Sequence, residues 1–377
     1  MRTPYIIFGV ISLFFFASHN LAKAENRLNL LELPSKNSRL ASKSVVMAMT
    51  QVNNSILAVG ERGHIINWQN DSDWQQQQSP VSVAITDVAL LPDGSKIAVG
   101  HNGVILKAEN NSQTWRKVFT GEKLISLKIS LLKKQQQDLQ QVIEQTQDED
   151  ELEDLRYQND DLIFAIEDSQ NELLSGPNKP LLSVAIAANG SLFVSGAYGT
   201  LLTSRDQGET WQLITERLDN PDGFHLNAVI ATSGNHLYIV GENGLGFQSE
   251  NLGKTWTTMP LPYAGSLFGI IANPENSAQV IAFGLQGNFM VSLDGGAQWQ
   301  HKKLPTSASL LGGHFSKQGI AYLVGHGGLI INLKPEDLDS MNIEKHPSGA
   351  ALASVVVKEK TLILAGQFGM LTWPLEQ

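Results

Sequence analysis

The chain has 377 residues with 27 lysines and arginines against 37 aspartates and glutamates, a net charge of −10, and no cysteine. An acidic chain is a poor match for the nucleic-acid backbone, so no nucleic-acid partner is expected. The lack of cysteine excludes disulfides, thiol chemistry and cysteine metal sites. A chain this long has ample apolar residues to hold one large core without cross-links.

The sequence opens with Met1-Arg2, an apolar run over 5–17, and Ala22-Lys23-Ala24. A positive start, a short apolar run and small residues before a cut site predict a secretory signal peptide over 1–24. The run is shorter than the roughly 20 apolar residues that span a bilayer. The mature protein, 25–377, is therefore expected to be exported, periplasmic or secreted, with no integral membrane segment left after cleavage.

Past that point an apolar run ending in Gly-x-x-Gly occurs seven times, at Gly60/Gly63, Gly100/Gly103, Gly196/Gly199, Gly241/Gly244, Gly284/Gly287, Gly325/Gly328 and Gly366/Gly369. The first glycines are 40–45 residues apart except for one step of 96. A period of 40–45 is the length of one four-stranded propeller blade. The runs before each pair, such as 192–196, and those about twelve residues earlier, such as 182–187 and 352–357, are rich in β-branched residues and read as strands. Glycine at both ends of the turn allows positive φ and close backbone approach. The fold class is thus all-β: a seven-bladed β-propeller with an inserted α-helical hairpin.

The insert explains the long step. Over 122–175 there is no glycine or proline, and Leu124, Leu127, Leu131, Leu132, Leu139, Val142 and Ile143 recur at helical spacing. Leu152, Leu155, Leu162, Ile163, Ile166, Leu173 and Leu174 do the same, which predicts two antiparallel amphipathic helices turning near 147–150. Between Gly121 and Asn178 lie 14 acidic and five basic residues, so most of the chain's net charge sits in this arm. Two readings stay open for it: an ornament packed on itself, or a partner-binding arm.

A second motif follows the returning strand: Ser204-x-Asp206-x-Gly208-x-Thr210-Trp211, then Ser249-x-Asn251-x-Gly253-x-Thr255-Trp256, then Ser292-x-Asp294-x-Gly296-x-Gln298-Trp299, with worn copies ending at Trp74 and Trp115. It resembles the Asp-box (BNR) hairpin of sialidases and related propellers. The Asp or Asn side chain accepts N–H bonds within its turn, so Asp206, Asn251 and Asp294, with Trp211, Trp256 and Trp299, are read as structural. The last repeat stops one strand short. The segment 28–34, which includes Leu30-Leu31-Glu32-Leu33-Pro34, is expected to supply the outer strand of blade 7 and close the ring.

Catalytic, cofactor and metal sites are not predicted. The eight arginines do not assemble a carboxylate-binding cluster, and the histidines, His64, His101, His225, His314 and His326 among them, show no metal-ligand spacing. An alternative reading, a carbohydrate-active enzyme or lectin, would need a pair of carboxylates. Asp87, Asp222, Glu61 and Glu242 are its candidates. The residues inside the Gly-x-x-Gly turns should ring one face of the disc: Glu61, Arg62, His101, Asn102, Tyr198, Glu242, Asn243, Gln286, His326, Gln367 and Phe368. The arm, joining two blades, should rise from that same face. A rigid ring of polar and aromatic tips beside a projecting arm is suited to a protein partner.

With the signal peptide, the seven turns and the Ser-x-Asp-x-Gly-x-Thr-Trp hairpins, the chain over 28–377, arm excepted, resembles the photosystem II stability/assembly factor family. That resemblance implies a lumenal or periplasmic seven-bladed propeller acting without catalysis or cofactor as an assembly factor for a membrane protein or complex.

Overall fold

The structure, a computed structural model, describes residues 29–375 apart from 53 and 69–72. The expected signal peptide over 1–24 lies outside the described residues.

Seven antiparallel sheets follow one another along the chain. They cover 46–76, 85–119, 181–213, 226–258, 267–303, 310–345 and 352–374, and are called blades 1 to 7. In each, the strands run outward in chain order from an innermost strand. Among the described residues six blades have four strands and the seventh has three. Every innermost strand lies against that of the next blade, and Leu352–Lys358 of blade 7 lies against Val46–Val52 of blade 1, so the ring is closed. The second strand of every blade is buried almost along its whole length, as in Lys96–Gly100 and Val280–Gly284. That is why these strands read as continuous apolar runs rather than alternating ones. The core is a ring of apolar clusters, each bridging two neighbouring sheets.

The three Ser-x-Asp/Asn hairpins hold blade to blade. Asp206 accepts from the Thr210 N–H at 2.9 Å and the Thr210 hydroxyl at 2.5 Å, and these bonds hold its carboxyl down at about 2. The Trp211 indole donates to the Gly208 carbonyl at 3.0 Å, and Trp299 does the same to Gly296. In the Asn251 copy the Trp256 indole N–H is buried without a partner among the described residues, and the ring packs edge-on against Phe193 of blade 3. The glycines of these hairpins face the preceding blade: a Cβ on Gly208 would lie 2.9 Å from Ile97, and one on Gly253 2.6 Å from Phe193. Lys107, on blade 2, donates to Glu209 in the blade 3 hairpin at 2.8 Å.

Among the described residues the expected closure by 28–34 is not formed: no strand from this segment joins blade 7. Residue 28 lies outside the described residues, and 29–35 run along the seam of blades 1 and 2. Leu31 is buried among Val81, Val83 and Ile85. Ser35 N–H donates to the Ser79 carbonyl at 3.0 Å, Ser82 N–H to the Leu30 carbonyl at 2.9 Å, and Lys117 reaches the Leu31 carbonyl at 2.7 Å. The ring closes instead by face packing of blade 1 on blade 7: Ile56 meets Val356 and Ile363, with Trp68, Trp74 and Met370 beside them.

The arm is two helices, α1 (Gly121–Gln145) and α2 (Glu149–Ser175), packed on each other. The turn falls at 146–148, where Asp148 caps α2 by accepting from the Glu151 N–H at 3.1 Å. Gly176, at φ +89, ends α2 and Pro177 follows.

Candidate protein-binding face

The Gly-x-x-Gly turns have one local design, with a different task for each glycine. The first is extended, as at Gly60 with φ −169. A Cβ there would lie 2.1 Å from the Val45 carbonyl oxygen, which also accepts the Glu61 N–H at 3.0 Å. Across all seven repeats the corresponding clash is 2.0–2.8 Å, always with a backbone oxygen at the start of the innermost strand. The first glycine therefore serves close approach alone. The second serves backbone angle: Gly63 sits at φ +72 and its six counterparts at +67 to +80.

The residue before the second glycine is left-handed too in blades 1 to 6. Arg62, Asn102, Tyr198, Asn243 and Gln286 have φ of 53–58, and Gly327 +69. Asparagine tolerates this region and glycine prefers it, whereas arginine, tyrosine and glutamine occupy it at a cost of about 1 kcal/mol or more. Blade 7 departs from the pattern: Gly366 pairs directly with Gly369 across a two-residue turn of Gln367 and Phe368.

The expected ring of tips divides in two. Four side chains bind their own scaffold. Glu61 accepts from the Val45 N–H at 3.3 Å, Glu242 from the His225 N–H at 2.9 Å, and Gln367 from the Ala351 N–H at 3.4 Å. Each thus holds the residue whose carbonyl accepts its own N–H. Asn102 donates to the Pro177 carbonyl at 2.8 Å and ties its turn to the foot of the arm. The tips of Arg62, His101, Tyr198, Asn243, Gln286, His326 and Phe368 are exposed. Tyr198 is 61% exposed, its ring 4.9 Å from His225 and Lys179 5.2 Å above it; Phe368 is 51% exposed.

The arm rises from this same side. A Cβ on Gly103, in the blade 2 turn, would meet Gly121 at 2.6 Å. The first turns of α1 dock on blade 3: Leu124 is buried with Phe119, Leu181 and Trp211, and Leu213 and Leu127 pack beside them. Ile125 is also buried. A cavity of about 220 Å³ remains between α1 and blade 3, reaching Tyr198. On the other helix Tyr157 and Phe164 are exposed, Phe164 at 67%. Sequence reasoning missed Ile125, Lys128 and Lys179 as cavity residues. The signal for Lys128 was its place in the stripe Leu124, Lys128, Leu131, Gln135, at steps of four, three and four, where a cation interrupts an apolar face.

The alternative's candidate carboxylates fall on different elements. Glu61 and Glu242 lie in the turns of blades 1 and 4, and Asp222 is exposed in the connection between blades 3 and 4. Asp87 is the one carboxylate on the seven innermost strands as described. It accepts from the Val88 N–H at 2.8 Å, the Val184 N–H at 2.9 Å and the Ser183 hydroxyl at 3.0 Å, joining blades 2 and 3. Burial nevertheless outweighs these bonds and pushes its carboxyl up to about 6. A carboxyl raised on folding favours the folded state when protonated. Its contribution is greatest below the unfolded value near 3.8 and is lost as pH rises through 6. A rise from 3.8 to about 6 corresponds to about 3 kcal/mol. Urea titrations of the wild type and Asp87→Asn between pH 4 and 7 should show the wild type losing more stability with rising pH; parallel curves contradict this.

Among the described residues no three His, Cys, Asp or Glu side chains gather as metal ligands. His64 is buried with Nδ1 2.9 Å from the Ser44 hydroxyl, and burial lowers its pKa. His314, on an innermost strand, is lowered to about 4 by burial and is neutral at pH 7. Among the described residues no helix is long and apolar enough to cross a membrane.

This geometry is that of a seven-bladed β-propeller with a helical arm on the turn face. In agreement, a family model described as DUF6242 beta propeller domain matches residues 169–312, from the end of α2 into blade 6. No curated protein matches the sequence. Solved structures with the same fold include "YCF48 bound to D1 peptide", 11% identical over 89% of this chain and 95% of that one, TM-score 0.58. The WD40 beta propeller domain of Doa1 is 9% identical over 91% and 95%, TM-score 0.59. The extracellular domain of a putative one-component system, BT4673, from B. thetaiotaomicron is 13% identical over 87% of this chain and 38% of that one, TM-score 0.59.

Proposed function

We propose that this chain is an exported, non-catalytic binding propeller. Its turn face and arm hold a protein partner, and it serves as an assembly or stability factor for a membrane protein complex. The observation that carries this reading is Tyr198, a large aromatic side chain held in the left-handed region at the foot of the arm and left mostly in solvent. Strained, exposed aromatics on a rigid scaffold are the kind of residue that anchors an interface. The likeness in fold to a propeller solved with a bound peptide supports the same reading. Export rests on the signal-like 1–24, and the membrane complex on the family resemblance.

The test is recovery of partners from detergent-solubilised membranes of the source cells. Tagged full-length chain is compared with a chain in which 122–175 is replaced by a short linker. The full chain should retain a defined set of membrane proteins that the shortened, still folded chain loses. Equal recovery by both, or none by either, would contradict the reading.

A further inference from the structure

The arm's second helix has two unlike sides. One packs on α1, with Ile166 and Ser169 buried. The other carries Tyr157, 62% exposed, and Phe164, 67% exposed. They are one heptad apart, so they stand in line on the helix about 10 Å from each other. The rows beside them keep the same period. Glu153, Asp160 and Glu167 run along one flank and Asp154, Asp161 and Asp168 along the other, all of them exposed. None of the six is ion-paired among the described residues. Asp168 also lies in the field of Lys128 on α1. The Tyr157 hydroxyl donates to Glu153 at 3.3 Å, a bond within the face. Acidic rows alone are an ordinary solvated surface. The aromatic row between them is different, because two large rings held in water gain from burial. A seven-residue period is what a helix shows where another helix lies along it.

Charge selects the occupant. α2 carries ten acidic residues and one basic residue, Arg156, whereas α1 carries three acidic residues and four lysines. A second copy of this chain pairing α2 with α2 would set acid against acid. An anionic lipid surface would be repelled in the same way. A helix with apolar residues at seven-residue spacing, and lysine or arginine on both sides of them, matches the rings and the acidic rows together. Its cations can also rest on the ring faces. We infer that the outer face of α2 is a docking surface for a basic amphipathic helix of the partner protein. The inference rests on the protein-binding reading of the arm and gives that partner a chemistry.

The test uses the full chain and a fluorescent 18-residue probe helix of leucine and lysine, its leucines at steps of three and four. A second probe has every lysine replaced by glutamate. A third keeps the lysine probe's composition and scrambles its leucine row. By fluorescence anisotropy the first should bind saturably, and more weakly as salt rises. The other two should not bind at the same concentration. Tyr157→Ser with Phe164→Ser should weaken binding at least about tenfold. Asp154→Asn, Asp160→Asn and Asp161→Asn together should weaken it about three- to tenfold and flatten its salt dependence. All five side chains lie in solvent, and melting curves and helix content check that both variants fold. Equal binding of the scrambled probe, or an unchanged affinity in either variant, overturns the inference. So does a dimer, or adsorption to anionic vesicles, that the aromatic variant loses, since the face would then belong to a second copy or to lipid. Membrane recovery separates the two levels. If the Tyr157→Ser, Phe164→Ser chain retains the partner set that arm deletion loses, the α2 face is wrong and the binding arm stands. If arm deletion itself loses nothing, the protein-binding reading is wrong.

Discussion

Gly366→Ala should destabilise the fold by roughly 3–5 kcal/mol, while Gly327→Ala costs about 1 kcal/mol. The two glycines sit in equivalent loops and differ in what surrounds them. A methyl at Gly366 would lie 2.0 Å from the Ala351 carbonyl oxygen and 2.9 Å from the Leu352 Cα, so backbone must move. That carbonyl is engaged by the Gln367 N–H at 2.9 Å, and its displacement breaks the junction between innermost strand and turn. At Gly327 nothing lies within 4 Å, and only the left-handed angle, φ +69, resists a side chain. Asn243 and Tyr198 occupy the matching position in blades 4 and 3, so that resistance is modest. Urea unfolding of the two variants measures the contrast. Similar losses for both would mean that close approach is not what selects the first glycine.

Leu31→Ala should cost about 2–4 kcal/mol, although the residue lies outside every sheet. Its side chain is 3% exposed and fills the seam between blades 1 and 2 against Val81 and Val83. Backbone bonds from Ser82 to Leu30 and from Ser35 to Ser79 hold the segment there. A double-mutant cycle makes the assignment. Leu31→Ala and Val83→Ala, which share a cluster, should couple by at least about 0.5 kcal/mol, whereas Leu31→Ala and Met370→Ala should add independently. The reverse result would place the segment on blade 7, where sequence reasoning had put it.

That misplacement shows where the sequence is informative. The Gly-x-x-Gly turns were legible because a backbone oxygen stands where any Cβ would be, seven times at one period, so only glycine serves. The arm was legible because the stretch 122–175, without glycine or proline, keeps an apolar stripe at helical spacing. The outer strands were not: in blades 1, 3 and 4 they are two residues long, Gln75–Gln76, Gln212–Leu213 and Thr257–Thr258, too short to carry a pattern. A Leu-Leu-Glu-Leu-Pro segment therefore matched them by composition alone. The tip ring was legible as a location but not in its division. Glu61, Glu242 and Gln367 turn inward to a backbone N–H, and Tyr198 and Phe368 turn outward. Side-chain direction within a short turn has no periodicity to reveal it. Lys128 and Glu172 are on different helices, and only the packed hairpin sets them around one cavity.

The side of the disc that meets the partner decides the proposed function. A photoreactive benzoylphenylalanine placed singly at Tyr198, at Phe368 and at Lys317, the last in a loop at the other end of the innermost strands, tests this in source-cell membranes. Covalent adducts with a membrane protein at Tyr198 and Phe368, and none at Lys317, are the predicted result. Adducts only at Lys317, or at none of the three with the chain folded and exported, would contradict it.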